Sequence, residues 1–117
     1  MKVLICDDDS ITLRALEFQF KKDGFEVFKA KNGKEGQKIL MQNHLDLLVT
    51  DIYMPLMNGL ELITFVRLTM QSEIPIIVVS MVNLEESILH AYALGANTYL
   101  TKPFKLEDLS NNVKLLF

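Results

Sequence analysis

The sequence predicts one α/β domain of (βα)5 type, a doubly wound parallel five-stranded sheet with helices on both faces. Three observations predict it. Apolar runs of strand length recur along the chain; they are nearly continuous in apolar residues; and segments of helical length with apolar residues three and four apart lie between them. Continuous apolar strands suit a sheet covered on both faces. Strict alternation of strand and helix implies right-handed crossovers between parallel strands. With 117 residues, half of them hydrophobic, the chain can bury a single core of this kind, and residues 1–117 read as one domain.

The first strand, Val3–Cys6, stops at three consecutive carboxylates, Asp7, Asp8 and Asp9. Ser10 is the expected cap of a helix over 10–22, and Gly24 stops it before the second strand, Phe25–Phe28. Asn32, with Glu35 three residues on, opens a helix over 33–43. The third strand, Leu45–Val49, runs towards Asp51. Asn58 and Glu61 then open a helix over 59–70, with Leu60, Ile63 and Val66 on one face. Pro75 separates that helix from the fourth strand, Ile76–Val79. Asn83 and Glu86 repeat the cap signal for a helix over 84–94, which presents Ile88, Ala91 and Tyr92 and stops at Gly95. The fifth strand, Thr98–Leu100, leads to a last helix over 105–116.

Composition narrows the function. Fifteen acidic against twelve basic residues give a net charge of −3, which argues against non-specific nucleic-acid binding by this chain. A single cysteine, Cys6, excludes an intrachain disulfide framework and a cysteine-rich zinc site; as part of an apolar run it reads as a buried thiol. Too few apolar residues follow Lys2 for a signal peptide, and nothing approaches the ~18 consecutive apolar residues of a membrane span. A cytoplasmic location is expected. His44 and His90 lack a partner pattern and read as solvated helix residues, and Met54, Met57 and Met70 as core or loop packing.

In a parallel sheet the carboxyl ends of all strands share one edge, and ligands bind outside that edge where the strand order reverses. Asp7 and Asp8 follow the first strand, Asp51 the third, Ser80 the fourth and Lys102 the fifth. With the flavodoxin-like order 2-1-3-4-5, strands one and three are neighbours, so Asp7, Asp8 and Asp51 converge. Three carboxylates in one crevice call for a cation, and a hard divalent ion with oxygen ligands points to Mg²⁺. A lysine and a hydroxyl beside it suit an anion, and cation, lysine and donor together are the kit of phosphoryl transfer. A carboxylate can itself be the nucleophile, and central Asp51 is the best placed.

The stretches "ICDDDS", "VTDIYMPLMNGLEL", "IIVVSM" and "YLTKPF" occur in order with suitable intervals and resemble the receiver domain of two-component response regulators, from about Lys2 to Phe117. The resemblance implies that Asp51 is the phosphoacceptor. It implies Mg²⁺, with Mn²⁺ as a substitute, bound by Asp8, Asp51 and the backbone carbonyl of Tyr53, with Asp7 helping through water. Ser80 and Lys102 would contact phosphoryl oxygens, Lys102-Pro103 would be a cis bond, and Tyr99 would be the aromatic switch that turns inward with Ser80. The implied partners are a sensor histidine kinase or histidine phosphotransfer protein, and an output domain or protein that reads the face of the fourth helix, fifth strand and fifth helix. The domain would be a monomer or a phosphorylation-dependent homodimer, and no enzyme beyond its own phosphotransfer and dephosphorylation. Asp9 is expected as a solvated residue of the first helical turn.

Some positions depart from the family pattern. Met81 stands where receivers usually carry a small residue, and Tyr53 and Val82 occupy the two positions that govern attack of water on the acyl phosphate. Asn97 replaces the aspartate usual in winged-helix regulators, and "LEDLSNNVKLLF" lacks the arginine of their dimer face. Two other readings compete. A degenerate receiver would act as a constitutive interaction module, obstructed by Met81. A small haloacid-dehalogenase-like phosphatase would use Asp7 as nucleophile and Asp9 as acid, but it leaves Asp51 unexplained and lacks a second acidic pair after a later strand.

Overall fold

The computed structural model describes all residues, Met1–Phe117. Five parallel strands, β1 (Lys2–Cys6), β2 (Glu26–Ala30), β3 (Leu47–Thr50), β4 (Ile76–Ser80) and β5 (Thr98–Thr101), lie in the order β2-β1-β3-β4-β5. Five helices alternate with them: α1 (Ser10–Lys22), α2 (Gly33–Gln42), α3 (Gly59–Thr64), α4 (Glu85–Leu94) and α5 (Leu106–Leu116). This is the doubly wound flavodoxin-like architecture that the strand–helix alternation predicts.

Side chains alternate across a strand, so each central strand feeds two cores. Leu4, Leu48, Ile76 and Val78 point to the layer filled by Leu40, Leu62, Ile63 and Ala91 from α2, α3 and α4. Val3, Ile5, Leu47, Val49, Ile77 and Val79 point to the opposite layer, filled by Leu13, Leu16 and Phe20 of α1 and by Leu109 and Val113 of α5. Phe20 and Phe25 meet edge to face, ring centroids 5.1 Å apart, and close the far end of that layer.

Two of the three asparagine caps form. Asn32 accepts from the Glu35 amide and Asn58 from the Glu61 amide, each at 2.8 Å, and Glu61 returns a bond to the Asn58 amide. The other helix starts correct the sequence reading. Asp9, not Ser10, caps α1: its extended backbone lets its carboxylate accept from the Ile11 amide and the Thr12 hydroxyl, so Asp9 precedes the first turn instead of sitting in it. Asn83 caps nothing. The chain stays extended to Leu84, which occupies the cap position of α4 without any side-chain bond.

The helix expected over 59–70 is also not uniform. It is α-helical to Thr64 and then π-helical over Phe65–Thr69, closed by the Met70 amide on the Phe65 carbonyl at 2.9 Å. Apolar spacing cannot separate one π turn from an α turn over so few residues. Met54 is buried and Met57 packs against the core, whereas Met70 is 37% exposed. His44 and His90 are exposed.

Candidate functional site

The site lies where β1 and β3 end side by side. Their register pairs Ile5 with Val49 and Cys6 with Thr50, so the next residues, Asp7 and Asp51, emerge together. Asp7 is fully buried and Asp51 nearly so, while Asp8 is exposed at the mouth. Carboxylate oxygens of Asp7, Asp8 and Asp51 lie within 4.8 Å of one another.

Lys102 enters from the end of β5. Its Nζ donates to Asp7 Oδ2 at 2.7 Å and to Asp51 Oδ2 at 3.0 Å. Burial alone would lower the Lys102 ammonium, but its two carboxylate partners outweigh burial and hold it above its ordinary value. Burial raises Asp7 more than Lys102 and the Asp9 amide pull it back, so its carboxyl stays above the usual range. The cleft thus carries more negative charge than its one lysine balances, and its oxygen-only donors fit a hard divalent cation such as Mg²⁺.

The chain around Asp51 is fixed by backbone contacts. Its Oδ1 accepts from the Ile52 amide at 2.6 Å, and its carbonyl accepts from the Thr50 hydroxyl at 2.8 Å. Gly59 opens α3 against it: a Cβ on Gly59 would fall on the Asp51 carbonyl oxygen. Only glycine permits that approach, and its amide then bonds the Ile52 carbonyl at 2.7 Å. Neither Thr50 nor Gly59 has a signal of its own in the sequence; the place of Gly59 directly after the cap Asn58 is the nearest to one.

On the other side, Ser80 is buried at the end of β4. Its Oγ accepts from the Val82 amide at 3.1 Å, and the Val82 carbonyl accepts from the Tyr99 hydroxyl at 2.6 Å. Tyr99 therefore points inward, towards the loop after Ser80. Burial is the main cause that raises its phenol, so the hydroxyl keeps its proton as a donor. The Lys102–Pro103 peptide is cis. Pro103, Lys102 and Met81 border a groove of about 420 Å³ between α1 and the segment after β5. Met81 and Tyr53 are well exposed, at 78% and 68%. Val82 is half-buried.

The structure thus brings Asp7, Asp8, Asp51 and Lys102 into one cleft, flanked by Ser80, Tyr99, Tyr53, Met81 and Val82. Asp9 is outside it, turned to its own helix, which removes the acid that a phosphatase of the Asp-x-Asp type would need.

The chain as a whole has many relatives of similar sequence and fold. The family model of the response regulator receiver domain matches residues 3–114. The transcriptional regulatory protein PrrA of Mycobacterium tuberculosis is 36% identical over 115 residues, covering 98% of this chain and 49% of that protein. The transcriptional regulatory protein CrdR of Helicobacter pylori is 32% identical, covering 99% of this chain and 54% of that one. The chain spans about half the length of these relatives. Among solved structures, the receiver domain of the Francisella response regulator 1452 superposes with a TM-score of 0.92 at 30% identity, over 98% of this chain and 94% of that one. The chemotaxis response regulator CheY4 of Vibrio cholerae gives 0.92 at 28% identity, over 99% and 98%. No helix is long and apolar enough to cross a membrane. The chain belongs to the receiver domains of two-component response regulators.

Proposed function

We propose that this domain is a phosphorylation-controlled binding switch with Asp51 as its phosphoacceptor. The observation that carries the reading is the convergence of Asp7, Asp8 and Asp51 within 4.8 Å, with Lys102 bonded to two of them. Asp8, Asp51 and the Tyr53 carbonyl would hold Mg²⁺, with Asp7 assisting through water. The metal would supply charge neutralisation for the incoming phosphoryl group. In the transfer, an Asp51 oxygen attacks phosphorus while the bond from phosphorus to the donor's imidazole nitrogen breaks, and the imidazole leaves with that electron pair. Lys102 gives up its bond to Asp51 and donates to a phosphoryl oxygen; Ser80 turns its hydroxyl to another. The donor is a sensor histidine kinase or a histidine phosphotransfer protein.

The readout is the face formed by α4, β5 and α5. Ser80 and Tyr99 both hold Val82, so recruitment of Ser80 to a phosphoryl group acts on the loop leading into α4. The relatives that this chain half covers are transcriptional regulators, and an output of that class, in the cytoplasm, fits the proposal. The domain itself turns over no substrate and contacts neither nucleic acid nor membrane; it acts as a monomer or as a homodimer formed on phosphorylation.

The test is incubation with Mg²⁺ and acetyl phosphate, followed by intact mass measurement. One base-labile phosphoryl group should add to the wild type and none to Asp51→Asn, because an amide cannot form an acyl phosphate. Undiminished labelling of that variant would overturn the assignment.

A further inference from the structure

Arg67 is an unusual residue in this molecule: it donates to four acceptors and pairs with no carboxylate. Carried on the π-helical turn after α3, its guanidinium bonds the Gly95 carbonyl through Nε at 3.1 Å and Nη2 at 2.8 Å. Nη1 bonds the Ser72 and Ile74 carbonyls at 2.9 and 2.7 Å, and Nη2 also reaches Asn97 Oδ1 at 3.0 Å. The same Asn97 oxygen accepts from the Ile76 amide at 2.8 Å. One side chain therefore ties together the segment before β4, the end of α4 and the start of β5. The Gly95 carbonyl directly follows Leu94, the last residue of α4, at the helix end where the dipole favours a cation. Gly95, at φ 122°, packs directly on the Arg67 side chain, so a Cβ there would meet both strained backbone and guanidinium.

The two ends of α4 differ sharply. At the C-terminal end, besides Arg67, the Gly95 and Ala96 amides bond the carbonyls of Tyr92 and Ala91, the Asn97 amide bonds Ile76, and Ala91 is fully buried. At the N-terminal end, Leu84 caps without a side-chain bond and residues 83–86 are exposed. The preceding loop is fastened through the two Val82 bonds, made by Ser80 and Tyr99.

We infer that Arg67 makes the C-terminal end of α4 a fixed pivot, so that release of Val82 swings the N-terminal end while Gly95 to Asn97 stay still. This rests on the phosphoacceptor reading above and specifies how its signal is shaped: α4 moves as a lever, and the displacement a partner reads grows towards Glu85.

Hydrogen exchange on the full chain, with and without Mg²⁺ and beryllofluoride as the phosphoryl mimic, tests it. Within residues 81–97 of the wild type, changes should be confined to amides from Met81 to about Ile88, with Gly95, Ala96 and Asn97 unaffected. In Arg67→Met, exchange at those three amides should be at least about tenfold faster without ligand, and the ligand response should spread through the whole of α4. Unchanged exchange in β1 and β3 shows that the variant is folded. Arg67→Lys, whose ammonium cannot span four acceptors, should be intermediate and serves if the methionine variant fails to fold. Wild-type-like protection at Gly95 to Asn97 in the variants, or an equal response at both ends of α4 in the wild type, would overturn the pivot. A wild type that does not respond to beryllofluoride would instead overturn the phosphoacceptor reading, and the anchor would still be decided by the unliganded comparison.

Discussion

The hydroxyl of Tyr99 donates to the carbonyl of Val82 at 2.6 Å, joining the edge strand β5 to the loop after Ser80. A ring held only by apolar packing would leave that loop free of the strand. Removing the hydroxyl while keeping the ring isolates the bond. Tyr99→Phe should cost about 1 kcal/mol of stability, the usual net value of one intramolecular hydrogen bond, and should leave the labelling of Asp51 within a few-fold of wild type. Urea unfolding checks the first part; an unchanged midpoint would mean that the bond contributes nothing.

Gly59→Ala should be far more costly. The added methyl falls on the Asp51 carbonyl, a backbone atom that cannot rotate away, so α3 must shift off the end of β3. The expected loss exceeds about 2 kcal/mol, with impaired phosphorylation in whatever remains folded. A midpoint within the scatter of surface variants would contradict the close approach.

The pH dependence of Asp7 has a definite sign. Burial makes its native carboxyl hold a proton more tightly than the unfolded chain does, so the native state binds more protons and stability falls as pH rises from about 3.8 through the raised native value. Asp7→Asn, which mimics the protonated form, should raise the unfolding midpoint at pH 7. The gain should disappear below the unfolded value of 3.8, where the wild-type carboxyl is protonated as well. A variant less stable at pH 7 would mean that the Lys102 ion pair outweighs burial.

Persistence of the phosphoryl group tests the flanking residues. On the proposed reading, Tyr53 and Val82 flank the in-line approach and neither offers a carboxylate or amide to orient the water, while Met81 adds bulk where a donor would enter. Val82→Glu or Tyr53→Asn should accelerate loss of phosphate roughly ten- to a hundredfold, and Met81→Ala should accelerate charging. Decay is followed with Mg²⁺ present and donor removed. Loss from the wild type within seconds would defeat the steric argument.

The legible part of this protein is the part set by residue type and period. Apolar runs locate the strands, and polar residues at strand ends locate Asp7, Asp8, Asp51, Ser80 and Lys102, because parallel topology sends every carboxyl end to one edge. Arg67 was not legible, since a lone arginine in an amphipathic helix reads as a solvated residue and its acceptors are carbonyls, which have no letter in a sequence. The caps of α1 and α4 differ from the sequence expectation for a related reason. Asp9 and Ser10 are both good caps, and backbone angles alone choose Asp9; at α4 the extended course of the chain to Leu84 overrides the local preference of Asn83.

The two apolar layers share no residue, although the same strands supply both. A substitution beneath α1 and α5 therefore meets none of the side chains beneath α2, α3 and α4, and paired truncations such as Leu16→Ala with Leu62→Ala should act almost independently. In evolutionary terms the molecule would have two interiors free to change separately. Each can drift through compensating changes of its own while the sheet between them, with its row of strand ends, keeps its shape.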